Sequence, residues 1–137
     1  MMTFQTKDSG ERQEFETGAR RDTQDDKPRY ALISPIALRR LAELLGRGAK
    51  KYGDRNWEKG IPLDRYYDSM FRHMQQWYEG DVSEDHLAAV MFNAMAIIHT
   101  EQKIIDGELP LELGNAGSLL DGWKEVERIK SMGQTTE

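Results

Sequence analysis

The side chains best suited to chemistry fall into two groups. In the first, Asp68, Arg72 and Glu79 stand on a predicted helix. At about 100° per residue they lie within about 40° of one another, opposite an apolar stripe, with His73 on the flank. The plainer account is a solvated face carrying an i,i+4 Asp–Arg pair, worth a few tenths of a kcal/mol. In the second, His86, Asn93 and Thr100 recur every seventh residue on a helix that is otherwise almost wholly apolar, and Asp85 adjoins His86. A buried polar row needs partners, because an orphaned group costs roughly 1–3 kcal/mol. Such a row either fixes helix register through internal hydrogen bonds or faces a pocket between helices, where bundles build metal and ligand sites. Carboxylates on facing helices with open coordination positions suit Mg2+, which combines a few carboxylates with water and substrate phosphates.

Other motifs are weaker. The segment "GRGAKKYG" is rich in Gly and Lys. It does not match the phosphate-binding G-x-x-x-x-G-K-[ST] loop, and it ends a helix instead of joining a strand to one. Lys50 and Lys51 therefore either offset the negative end of the helix dipole or contact a polyanion. None of His73, His86 and His99 sits in a G-x-S-x-G or H-E-x-x-H context, and the order Asp85–His86 is the reverse of a His-Asp metal dipeptide. With no cysteine, thiol catalysis, zinc fingers and iron–sulfur sites are excluded.

Helices must position these groups. Ser34 and Pro35 form a start signal, N-cap followed by proline. Leu38, Leu41, Leu45, Ala49 and Tyr52 continue an amphipathic helix that Gly53 stops. After the loop "GDRNWEKGIPLD", Asp64 is expected to cap a second helix. Its apolar stripe is Tyr67, Met70, Phe71, Met74, Trp77 and Tyr78, and Gly80 ends it. Ser83 is expected to cap a third helix, 84 to about 105, which is central because it is apolar nearly all round. Leu119, Leu120, Trp123, Val126 and Ile129 support a short fourth helix over 120–131. No strand with sustained alternation is found. The organisation expected is an arm over 1–29, a helical domain over 30–131 and a frayed tail over 132–137.

A chain of 137 residues is expected to form one domain. It carries a net charge of −5 and no broad basic footprint, so no stable nucleic-acid partner is expected. The N-terminus lacks the apolar core of a targeting signal, and Leu87 to Ile98 is too short for a membrane span. A soluble, cytoplasmic protein is expected.

Four segments, "FETGARRDTQDDKPRYALISP", "GAKKYGDRNWEKG", "RYYDSMFRHMQQWYEGD" and "EDHLAAVMFNAMAI", resemble the phage dATP/dGTP diphosphohydrolases. These are MazZ-type members of the MazG-like, all-α nucleotide pyrophosphohydrolase superfamily. The likeness runs from about Phe15 to Ile98. It implies an all-α helical bundle, three main helices plus a short C-terminal one, assembling as a homodimer or homotetramer. It also implies hydrolysis of dGTP or dATP to the monophosphate and pyrophosphate with Mg2+ or Mn2+. In phages that replace adenine by 2-aminoadenine, such an enzyme removes dATP and supplies dGMP.

The superfamily shows E-x-x-E on one helix and E-x-x-D on the next. Here Asp68 and Arg72 fall at the first motif, and Asp85, His86 and Ala89 at the second. Arg72 cannot bind a cation, and Ala89 stands where the superfamily has Asp. Glu79, Glu84, His73 and His86 are the nearest replacements. The resemblance thus implies a catalytic set of Asp68, Glu79 and Asp85, with Asp68, His73, Glu79, Asp85 and His86 as metal ligands. Lys50, Lys51 and Arg72 would offset charge on the leaving group. Trp57 would stack on a purine or pack over a turn, and Asn56 would bond the base edge or serve the turn. Arg21, in an arm that would close over nucleotide, and Asn93 complete the substrate set. The competing account is a non-catalytic helical nucleotide-binding or regulatory protein, which Arg72 and Ala89 favour. A single-strand nucleic-acid binder is disfavoured by the acidic balance.

Overall fold

The computed structural model describes residues 3–115 and 119–134. The chain divides into two compact units, Met1–Ile33 and Ser34–Glu137.

The first unit contains a small hairpin where no strand was expected. β1 (Arg12–Glu14) pairs antiparallel with β2 (Arg20–Asp22), which sets Arg12 opposite Asp22 and Arg20 opposite Glu14. Opposite charges across a strand pair stabilise it without any apolar alternation, so hydrophobic periodicity carries no sign of it. Asp22 gathers the Ser9 backbone N–H and hydroxyl and the Lys27 ammonium. The Ser9 hydroxyl, more than any other group, holds its carboxyl well below the ordinary range.

The second unit is all-α. α1 (Pro35–Tyr52) starts as expected: Ser34 Oγ accepts from the Ala37 N–H at 3.2 Å, with proline in the first turn. It stops at Gly53, whose φ of 89° suits a residue without Cβ. α2 (Leu63–Tyr78) corrects one expectation. Asp64 is not its cap; it lies in the first turn, and its N–H donates to Asn115 Oδ1 at 3.1 Å. Gly80 closes α2, donating to the Trp77 carbonyl. α3 (His86–Ile105) starts two residues later than expected. Asp85 caps it by accepting from the Ala88 N–H at 3.1 Å, while Ser83 bonds Asp81 instead. α4 (Leu119–Gln134) matches α2 in length, longer than the short helix expected, and takes in 132–134 of the expected tail. The side chains of Leu119, Leu120, Trp123 and Val126, and residues 135–137, lie outside the described residues.

α3 is central, as its composition predicts; it carries most of the buried residues, including His86, Asn93 and Thr100. The orientation of α2 departs from its bulky stripe. Leu63 and Tyr66 are buried, with Ser69, Met70, His73 and Gln76 half-buried along the same face. Tyr67, Phe71, Met74, Trp77 and Tyr78 are exposed. Two members of the polar row of α3, His86 and Asn93, find polar partners in His73 and Ser69, so the less apolar face of α2 turns inward. The segment 109–113 presses on the loop before α2. A Cβ on Gly60 would lie 2.8 Å from a Leu113 methyl, and the φ there is +110°. Among the described residues, no helix is long and apolar enough to cross a membrane.

Candidate active site

The end of α1, the loop that follows it, the inner face of α2 and the start of α3 enclose an open cleft of 2260 Å3. The glycine stop of α1 leaves Lys50 and Lys51 at its rim. The 3-10 turn Asn56–Lys59 brings Asn56 and Trp57 to it, and the helical repeat of α2 adds Asp68, Arg72 and His73. Asp85 and Asn93 come from α3 and its cap. With Glu84, ten candidate residues singled out from sequence therefore share one cavity. Arg47, Arg55 and Arg65 also line it, as do Asp54, Asp64 and Glu84, so cations that suit a polyanion stand beside carboxylates that suit a metal ion.

Neither Glu79 nor His86 lines the cleft. Glu79 is exposed beyond the end of α2, where it accepts from Gln75 Nε2 at 3.1 Å. Arg21 lies on β2 in the other unit. His86 stands behind His73. Their Nδ1 atoms are 2.8 Å apart, and His86 Nε2 is 2.8 Å from Asp81 Oδ1. The carboxylate accepts, so His86 Nε2 carries a proton; with both rings neutral, His86 Nδ1 accepts from Nδ1–H of His73, which leaves the His73 Nε2 lone pair uncommitted among the described residues. Burial lowers the His73 pKa, favouring the neutral ring. The bonds from His86 and Ser83 lower Asp81 to about 2. Ligand atoms of His73, Glu84 and His86 lie within 4.8 Å of one another.

Asp85 is committed elsewhere. Arg40 grips it with Nε at 2.8 Å and a terminal nitrogen at 2.6 Å, while the Ala88 N–H takes a further lone pair. The Arg40 hydrogen bond is the main reason its pKa falls to about 2. No sequence signal could show Arg40, which lies 45 residues away. Asp68 makes no ion pair among the described residues. The plain Asp68–Arg72 pair does not form, because Arg72 reaches Ser69 Oγ at 3.4 Å. Trp57 packs edge-on against His99, with ring centroids 4.8 Å apart, and against Phe92 at 6.3 Å. Its carbonyl accepts from the Tyr66 hydroxyl at 3.2 Å, so it braces the turn as well as lining the cleft.

The family model described as "dATP/dGTP diphosphohydrolase, N-terminal" matches residues 17–108. That span covers most of the chain and every element around the cleft, and the chain belongs to this family. The family is one of nucleoside triphosphate pyrophosphohydrolases. No curated protein and no solved structure matches.

Proposed function

We propose that the chain hydrolyses dGTP and dATP to the monophosphate and pyrophosphate with a divalent cation held by His73, Glu84 and His86. The observation that carries this reading is the His–Glu–His group beside a cleft lined by both lysines and carboxylates in a chain of this family. Two imidazoles and a carboxylate fit Mn2+ better than Mg2+, which prefers an all-oxygen shell. Binding would open the His73–His86 hydrogen bond. Such an ion neutralises phosphate charge and lowers the pKa of bound water.

The chain's own residues supply the rest. Lys50 and Lys51 offset charge on the triphosphate and on the departing pyrophosphate. Asp68, a carboxylate of the cleft with no ion pair among the described residues, receives the proton of the attacking water on a carboxylate oxygen. Asp85 acts through Arg40 by fixing the start of α3. The exposed apolar face of α2 pairs with a second copy, giving a homodimer or homotetramer. On the resemblance, the setting is phage nucleotide metabolism in the host cytoplasm, with dGMP supplied for 2-aminoadenine DNA.

One observation favours the non-catalytic alternative. Ala89 is buried, and its carbonyl accepts from Asn93, so no carboxylate stands at that position. Turnover of dGTP and dATP with Mn2+ or Mg2+ separates the two readings: release of pyrophosphate supports hydrolysis, and binding without turnover supports the alternative.

A further inference from the structure

Ser69 belongs to no motif, yet its hydroxyl is tightly constrained. It lies on α2 and lines the cleft. Its oxygen accepts from Asn93 Nδ2 at 3.3 Å and from an Arg72 terminal nitrogen at 3.4 Å. A hydroxyl has two lone pairs and one proton. Both lone pairs are engaged, so Ser69 can only donate, and no acceptor for its proton stands among the described residues.

Asn93 is equally restricted. It is 3% exposed and lines the cleft. One amide proton goes to the Ala89 carbonyl at 2.8 Å and the other to Ser69. A carbonyl accepts only from a donor, so the amide orientation is forced. Asn93 Oδ1 is left as an acceptor that no described residue uses. An idle carbonyl on so buried a side chain calls for a ligand or water to satisfy it.

Arg72, Ser69 and Asn93 therefore present donor, donor and acceptor in that order. A phosphate offers acceptors only and opposes Asn93 Oδ1. The edge of guanine running through N7, O6 and N1–H offers acceptor, acceptor and donor, which complements all three. The same edge of adenine offers N7, N6–H2 and N1: acceptor, donor and acceptor. It opposes both the Ser69 proton and the Asn93 oxygen. A guanine edge held in this way would meet Arg72, which the resemblance places on the phosphates.

We propose that Ser69, flanked by Arg72 and Asn93, reads the O6/N1 edge of guanine and makes the protein prefer dGTP to dATP. This rests on the nucleotide reading of the cleft, but it can be tested without hydrolysis. The tryptophan fluorescence of the full chain is titrated with dGMP, dIMP and dAMP. Inosine keeps N7, O6 and N1–H and lacks only the 2-amino group. The expected result is similar affinity for dGMP and dIMP, with dAMP at least about tenfold weaker. Ser69→Ala should collapse the dGMP/dAMP ratio, and Ser69→Thr, which keeps the hydroxyl, should restore it. Unchanged melting temperatures would show that the ratio moves through recognition. Equal affinities, no measurable affinity for any of the three, or an unchanged ratio in Ser69→Ala overturns the proposal. Preserved guanine preference without dNTP turnover would overturn the catalytic reading alone.

Discussion

Arg40 and Asp85 form a two-pronged ion pair, Nε on Oδ2 at 2.8 Å and a terminal nitrogen on Oδ1 at 2.6 Å, that ties α1 to the first turn of α3. The same carboxylate caps α3. One acidic residue thus sets two sides of the cleft, and its lone pairs serve structure more than metal binding.

This pair should govern acid stability. The folded pKa of Asp85 is about 2, below the ordinary 3.8. A depressed carboxyl stabilises the fold above the ordinary value, and that contribution is lost as pH falls through about 2. Arg40→Ala raises the folded pKa, so the acid unfolding midpoint should move to higher pH. Circular dichroism across an acid titration measures it; an unshifted midpoint would show that the pair contributes nothing.

Metal affinity should follow the His–Glu–His group. His73→Ala, His86→Ala and Glu84→Gln should each weaken Mn2+ binding at least about tenfold by calorimetry, since each removes a ligand. Asp85→Asn, which keeps a capping oxygen, should weaken it far less. The opposite order would place the ion at the carboxylates instead.

Asn115 should matter to stability although it is remote in sequence from α2. Its side chain occupies the Asp64 N–H, one of the orphan donors at the start of α2. Asn115→Ala should cost about 1 kcal/mol, as loss of a helix cap does. Chemical denaturation gives that difference directly, and a wild-type midpoint would rule the cap out.

The helix ends were legible where their cause is local. Ser34–Pro35, Gly53 and Gly80 act through neighbours within a few residues, and each holds its position. The buried polar row of α3 was legible from its sevenfold spacing, because that spacing selects one side of a helix. The inward face of α2 was not. Bulk alone ranks Tyr67, Phe71 and Tyr78 above Ser69 and His73, and only the partner helix shows which are needed inside. The Arg40–Asp85 and Asp64–Asn115 contacts span 45 and 51 residues, and no pattern in one sequence encodes such a pair. Ser69 stayed hidden because a serine on a helix carries no signal until its lone pairs are counted.

Assembly should be visible in mass. Phe71 and Tyr78 are 54% and 80% exposed on one side of α2, and an apolar face of that kind is a contact surface. Light scattering at micromolar concentration should give at least twice the 15.8 kDa chain mass. Phe71→Glu should shift it toward the monomer. A monodisperse wild-type monomer would contradict the second copy.

The central claim is that the cleft cleaves a purine deoxynucleoside triphosphate between the α- and β-phosphates. Chromatography of the products from dGTP and dATP, with Mn2+ or Mg2+ present and after chelation, tests it most directly. The account predicts dGMP or dAMP with one equivalent of pyrophosphate, and no reaction once the metal is removed. Orthophosphate with the diphosphate, or tripolyphosphate with the nucleoside, would contradict it.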